Sequence, residues 1–242
     1  MKCIVYQLGL IEYQAATFLQ RKLHRERMDG KMSDMLLLLE HPPTITVGKS
    51  GDLDHVLVPQ EELSKEHISL FFTDRGGDVT YHGPGQLVGY PILNLKERNR
   101  DIHQYVRDLE EVILRTLNSF CIPANRKNDH AGIWVNEEQI ASIGLSIRKW
   151  ITMHGFALNV KPKLGHFLNI NPCGILGQKA TSIVEILAKN ISMETVTKKL
   201  INFFSEVFDV QVELVGERRE WAGPYETTIG DFYGNVWRKI GQ

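Results

Sequence analysis

The sequence predicts one domain that mixes α-helices with β-strands. Three observations point there. Short apolar or alternating runs recur from the first residues to about residue 160, and three long segments carry apolar residues at helical spacing. A chain of 242 residues also suits one large domain with a continuous core.

In chain order, Cys3 to Gly9 alternates as a strand, and Tyr13 to Arg27 sets Ala16, Phe18, Leu19 and Leu23 on one helical face. Met35 to Glu40 reads as a buried strand, stopped at His41-Pro42-Pro43 because a proline forces the residue before it into extended conformations. Thr44 to Gly48 is a short strand opening a loop that runs through the fifties. Ile68 to Asp74 is another, ending at Arg75-Gly76-Gly77. Gln86 to Leu95 is apolar and extended. Asp101 to Phe120 is an amphipathic helix with Ile102, Tyr105, Val106, Leu109, Val112, Ile113 and Leu117 inward. Gly132 to Val135 and Gln139 to Ile147, joined by Asn136-Glu137-Glu138, form a hairpin that Trp150 to Val160 extends as a meander, and the centre of the sheet is expected there. Ser182 with Glu185 is a capping box for a short helix. Ser192 opens a further helix with Val196, Leu200, Phe203, Phe204, Val207 and Phe208 inward.

Composition narrows the function classes. Apolar residues make up 43% and charged residues 24%, as in an ordinary globular protein, and 28 basic residues nearly cancel 29 acidic ones. No broad nucleic-acid footprint is therefore expected, and any partner is recognised locally. Lys96, Arg98, Arg100, Arg126, Lys127, Arg148 and Lys149 read either as a landing surface for acidic domains or as scattered surface charge. The run Met35 to Leu39 is too short to span a bilayer, so no membrane is expected. The first ten residues lack the pattern of a signal peptide. Three cysteines without a C-x-x-C pair, Cys3, Cys121 and Cys173, argue against a disulfide framework or a zinc site, and a reducing cytoplasm fits.

Two segments carry the chemistry. In Arg75 to Ile92, read as RGGDVTYHGPGQLVGYPI, glycines let backbone N–H groups, a guanidinium and the His82 imidazole converge, which suits binding a carbonyl or carboxylate. The bland alternative stays open: a glycine-rich turn in which Arg75 makes a surface ion pair and His82 satisfies a buried acceptor. Neither G-x-G-x-x-G nor a Walker phosphate loop is present. Cys173 lies between Pro172 and Gly174 in a tight loop that exposes a sulfur or simply needs a small residue. Cys3, in a strand, and Cys121, at the end of an apolar helix, read as core packing. His154 sits on a strand, facing either a pocket or the core.

At these residues the sequence resembles the lipoyl(octanoyl) transferase family. The resemblance rests on five ordered blocks: RGGDVTYHGPGQLVGYPI at Arg75 to Ile92, GIWV at Gly132 to Val135, IASIGL at Ile140 to Leu145, HGFALNV at His154 to Val160, and NPCG at Asn171 to Gly174. It implies an α/β fold with a mixed central sheet flanked by helices, like the catalytic domain of biotin and lipoate protein ligases. The resemblance covers a catalytic domain over 1–215; the C-terminal extension 216–242 falls outside it and, mixing charge with Trp221, Tyr225, Phe232, Tyr233 and Trp237, is expected to pack on the same domain. Cys173 would be the nucleophile. The acyl site would be lined by Arg75, Gly76, Gly77, Asp78, Val79, Thr80, Tyr81 and His82, by Ser142, Ile143 and Gly144, and by His154, Gly155, Phe156 and Ala157. The implied donor is octanoyl-acyl carrier protein. The implied acceptors are lipoyl domains of 2-oxoacid dehydrogenases and the glycine-cleavage H protein, with no cofactor and no metal.

One position departs from the family. A lysine that lowers the cysteine pKa there is Gln139 here. A thiol with a pKa near 8.5 is only about 3% ionised at pH 7, and a nearby cation raises that share roughly tenfold. A neutral amide lacks this effect, so His82, His154, Lys149 or Lys179 is expected to supply the charge, or the reaction runs slower. Two other readings stay open: a catalytically impaired acyl- or lipoyl-domain-binding homologue, and an ATP-dependent lipoate-protein ligase on the same scaffold.

Overall fold

The computed structural model describes residues 1–127, 130–172 and 177–215. Cys173, Gly174 and the stretch from Gly216 onward lie outside the described residues. In order run β1 (Lys2–Leu10), α1 (Tyr13–Met28), β2 (Asp34–Glu40), β3 (Thr44–Val47), α2 (Gln60–Lys65), β4 (Ser69–Phe72), β5 (Val79–His82) and β6 (Gln86–Ile92). There follow α3 (Ile102–Asn118), β7 (Gly132–Val135), β8 (Glu138–Arg148), β9 (Ile151–Asn159), α4 (Ile183–Leu187), α5 (Met193–Phe208) and β10 (Gln211–Val215).

The large sheet has the order β10-β1-β2-β6-β9-β8-β7, and the small one β4-β3-β5. Parallel pairing of β1 with β10 and β2, followed by antiparallel pairing from β2 to β7, makes the large sheet mixed. Strand β2 explains how it is covered. Leu36 and Leu38 join a core with Leu109, Val112 and Ile113 of α3 and Leu200 and Phe204 of α5, whereas Met35, Leu37 and Leu39 join Ala16, Leu19 and Leu23 of α1. A strand covered on both faces reads as an unbroken apolar run, and each buried leucine contributes roughly 1.5–3 kcal/mol. A third cluster joins Ile45, Val47 and Tyr81 of the small sheet to Leu63, Phe167 and Ile170.

Several expectations are corrected. The β7–β8–β9 meander forms one side of the large sheet rather than its centre, which is β6, because β6 bonds β9 while β2, β1 and β10 add beyond it. Phe18 and Ile102, assigned to helix core faces, are each 42% exposed. Cys121 is exposed, because α3 ends at Asn118 and the chain turns outward through a left-handed residue there, φ 61°. The loop through the fifties contains a short 3-10 turn, followed by α2, which buries only Leu63. Arg98 bonds Asp34 at 3.3 Å and the Phe208 carbonyl at 2.7 Å, and Arg126 bonds Glu110 at 3.0 Å and Glu111 at 2.7 Å, so these two serve the fold instead of a landing surface. Among the described residues, no helix is long and apolar enough to cross a membrane.

Candidate active site

The chemically distinctive segment leaves β4 at Asp74 and returns as β5. Arg75 is buried and anchors it. Its Nε donates to the Thr46 hydroxyl at 3.1 Å, its Nη2 to the Thr46 carbonyl at 2.8 Å and the Asp78 carbonyl at 2.7 Å, and its Nη1 to the Gly76 carbonyl at 3.0 Å. Gly77 takes φ +84°, a conformation in which a side chain is strained. Gly48 must also lack a side chain, since a Cβ there would stand 2.2 Å from the Gly77 carbonyl oxygen. The Gly76 N–H donates to the Leu145 carbonyl at 2.7 Å and ties the loop to β8.

Between this loop and the β8–β9 hairpin lies a cavity. From the loop and β5 it is lined by Arg75, Gly77, Asp78, Val79, Thr80 and His82, from β8 by Gln139, Ser142, Ile143 and Gly144, and from β9 by His154, Gly155, Phe156 and Ala157. Three segments far apart in sequence thus meet at one locus. Tyr13, Tyr90, Ala131 and Pro172 complete the lining, and sequence reasoning had not assigned them. Tyr90 was within reach, since it sits in the quoted block; nothing local marks Tyr13 at the start of α1.

Two expected lining residues are elsewhere. Tyr81 turns to the opposite face of β5, where its hydroxyl meets Nδ1 of His166 at 2.7 Å and its ring packs on Phe167. Strand alternation sends Thr80 and His82 one way and Tyr81 the other. Gly76 is held against β8 and does not line the cavity. Cys173 falls outside the described residues, though its neighbour Pro172 is buried at the cavity wall.

The charge of the site is specific. Burial, with His41 and Arg75 nearby, pushes His82 down to about 3, and burial holds His41 at about 4, so both rings are neutral at pH 7. Burial also lowers His154. Its Nε2–H donates to Asp74 at 3.0 Å, and this hydrogen bond, which a neutral imidazole can make, holds Asp74 at about 2. His154 adopts φ 58° within a buried strand, with its backbone N–H given to Gln20 Oε1 at 2.8 Å, a strained conformation of the kind that collects at functional sites. The Asp78 carboxylate turns outward to His55 at 2.6 Å.

Among the described lining residues, none of the four groups expected to replace the missing ammonium is a cation. His82 and His154 are neutral. Lys149 is exposed in the β8–β9 turn, at the far end of β8 from Gln139, and exposed Lys179 offers its backbone carbonyl, which accepts from the Gln139 N–H at 2.9 Å. Among the described lining residues, the permanent cation is Arg75. The cavity therefore combines an apolar wall of Ile143, Phe156 and Ala157 with one guanidinium and neutral imidazoles, which fits an acyl chain ending in a polarisable carbonyl.

The chain matches the family described as lipoyl protein ligase A/B catalytic domain over residues 12–205. It is 43% identical over 220 residues to an octanoyltransferase of Desulforamulus reducens, covering 90% of this chain and 96% of the relative. It superposes on a lipoate-protein ligase A bound with ATP with a TM-score of 0.74 at 16% identity, over 89% of this chain and 90% of that one. A biotin protein ligase from Aquifex aeolicus gives 0.50 at 16% identity, over 86% and 70%. At such identities the structural matches speak to the fold alone. That fold is the mixed sheet flanked by helices of lipoate and biotin protein ligase catalytic domains.

Proposed function

The chain belongs to the lipoyl(octanoyl) transferase family and is an acyltransferase; from that premise we propose that it moves the octanoyl group of octanoyl-acyl carrier protein to a lysine through a thioester on Cys173. The acceptors are lipoyl domains of 2-oxoacid dehydrogenases or the glycine-cleavage H protein. The Cys173 thiolate attacks the donor thioester and releases the carrier thiol, and the acceptor amine then attacks the acyl-enzyme. Thioester exchange is near neutral and amide formation runs downhill, so no ATP is required.

The observation that carries this reading is the cavity itself: segments 75–82, 142–144 and 154–157 converge on a space whose wall includes Pro172, the residue before Cys173. Burying the octanoyl tail against Ile143, Phe156 and Ala157 contributes about 0.8 kcal/mol per methylene, roughly 5 kcal/mol in all. In the empty lining, Arg75 is the group that favours a developing thiolate or oxyanion, in place of the ammonium absent at Gln139. The Gly76 N–H is already bonded to Leu145 and is not an oxyanion donor.

Intact mass after incubation with octanoyl-acyl carrier protein tests the proposal. An octanoyl increment that disappears in Cys173→Ala supports it. The neutral Gln139 favours one second reading, a silent homologue that binds its partners without chemistry. Unmodified protein that still binds the carrier selects that reading, and modification of a lipoyl domain only with ATP and free acid selects a ligase.

A further inference from the structure

The acyl cavity has a neighbour on the same face of the same strands. Strands β8 and β9 pair Ser142 with Ala157, Gly144 with Gly155, Leu145 with His154 and Ser146 with Met153. Period-two alternation puts Ser142, Gly144, Ser146 and Arg148 on one side of β8. The first two line the cavity, and the last two line a groove with Met153, Arg21, Arg25 and Asp74. Cavity and groove are therefore successive stretches of one trough, divided at the rung where Leu145 faces His154.

The divider has two halves. Over β8 it is backbone: the Gly76 N–H donates to the Leu145 carbonyl at 2.7 Å, and a Cβ on Gly144 would stand 3.0 Å from the Gly76 oxygen. Beside β9 it is one side chain. Regular alternation would send His154 to the face of Phe156, which packs in the core under α3 and α5. The φ of 58° at His154 breaks that alternation. Its ring turns instead to the trough, 6.2 Å from the Tyr90 ring, with Nε2 donating to Asp74 at 3.0 Å. Gln20 Oε1 holds the His154 N–H at 2.8 Å, so the residue is fixed at both ends. The strained backbone thus has a use: it closes a trough that an ordinary strand would leave open.

We propose that His154, braced by Asp74, is the end wall of the acyl cavity and sets the length of chain the protein accepts. The proposal rests on the transferase reading, which sets the acyl carbonyl at the opposite end, beside Gln139 and Pro172. An octanoyl tail running from there past Ser142 and Gly144 ends against the imidazole. A longer chain has to push the ring aside, which leaves a buried N–H without the Asp74 acceptor, and then has to lay methylenes between the guanidinium groups of Arg21, Arg25 and Arg148. Both steps are unfavourable, the first as a lost hydrogen bond and the second as desolvation of charge.

Chain-length profiles test this. The full chain is titrated with octanoate and with dodecanoate by calorimetry, and is separately acylated from octanoyl- and dodecanoyl-acyl carrier protein. The wild type is expected to favour the eight-carbon chain about tenfold or more in both measurements. His154→Gly removes the ring and suits the left-handed backbone, so the variant is expected to fold. Its preference should vanish or reverse, while its use of the octanoyl chain changes only severalfold. Ser146→Trp, added to His154→Gly, refills the trough beyond the rung and should restore the preference, and by itself it should leave octanoyl acylation unchanged. A His154→Gly protein in which both chains weaken in the same proportion overturns the proposal, as does a double variant that restores nothing or a wild type that takes both chains equally. A wild type that binds the acids with the expected preference and forms no acyl-enzyme overturns the transferase reading and leaves the wall standing. One that binds neither acid and takes no acyl group overturns both.

Discussion

The Asp74 carboxylate accepts from Nε2 of His154 at 3.0 Å, across the boundary between the buried cavity and a groove that holds Arg21, whose guanidinium lies 3.8 Å from the same oxygen. The bond secures a ring whose backbone is strained. Asp74→Ala leaves a buried N–H without its acceptor, and a loss of about 1–3 kcal/mol is expected in urea unfolding at pH 7. Asp74→Asn keeps an accepting oxygen and should recover most of that. Its acid limb should also differ. The folded-state pKa of Asp74 is depressed to about 2, so its contribution is present above the ordinary carboxylate value and lost as pH falls through the interval down to about 2. The asparagine variant should lack that part of the decline.

Buried histidines also make the fold sensitive to acid, beginning at a higher pH than Asp74. His41 and His82 are neutral in the fold, with values near 4 and 3, but regain an ordinary pKa of about 6.5 when unfolded. Below pH 6.5 the unfolded chain binds more protons, so stability falls as pH drops toward about 4. At pH 5 the penalty is about 2 kcal/mol for each ring. Urea midpoints at pH 7 and pH 5 measure it, and a protein equally stable at both would show that these rings are protonated or solvated in the fold.

Gln139 offers the sharpest kinetic expectation. Its backbone is locked on both sides, by the Lys179 carbonyl and the Thr181 N–H, so a substitution there changes the side chain and little else. Gln139→Lys brings an ammonium to the cavity wall beside Pro172 and is expected to raise the rate of octanoyl-enzyme formation about tenfold at pH 7. The gain should vanish above about pH 9, where the thiol is ionised regardless. An unchanged rate at pH 7 would mean that thiolate formation is not limited by this position.

How much of this was legible differs by element. The run at Met35 to Leu39 announced a strand covered on both faces, and α3 announced itself by spacing, because in both cases burial alone decides the pattern. Strand β5 was hidden: only Val79 to His82 is extended, between two glycine-rich stretches, and its partner β3 lies more than thirty residues earlier. Helix α2 was missed because one leucine is all it buries. In the site, the three blocks were legible as family motifs, yet period-two alternation within VTYH would have excluded Tyr81. Tyr13 reaches the His82 ring from the start of α1, and Gln86, which bonds His82, pairs with Asn159 across β6 and β9; both depend on contacts between distant segments, which no local pattern encodes.

The close approach of Gly48 to the Arg75 loop separates anchoring from chemistry. Gly48 lies just after β3, where its N–H donates to the Asp78 carbonyl at 3.1 Å and Arg75 bonds Thr46 two residues earlier. A methyl group added there would meet the Gly77 oxygen at 2.2 Å and Arg75 Nη1 at 2.9 Å, and the first of these is backbone, which moves only with the whole loop. Gly48→Ala is therefore expected to cost about 1–3 kcal/mol of stability through overpacking. Because the loop carries Arg75, Asp78 and Thr80 into the cavity, it should also weaken retention of the octanoyl group, seen as faster hydrolysis of the acyl-enzyme. Val47→Ala, at the preceding buried position, removes packing without touching Gly77 and should lower stability while leaving that hydrolysis rate unchanged. Equal hydrolysis in both variants would locate the control of water access somewhere other than the Arg75 loop.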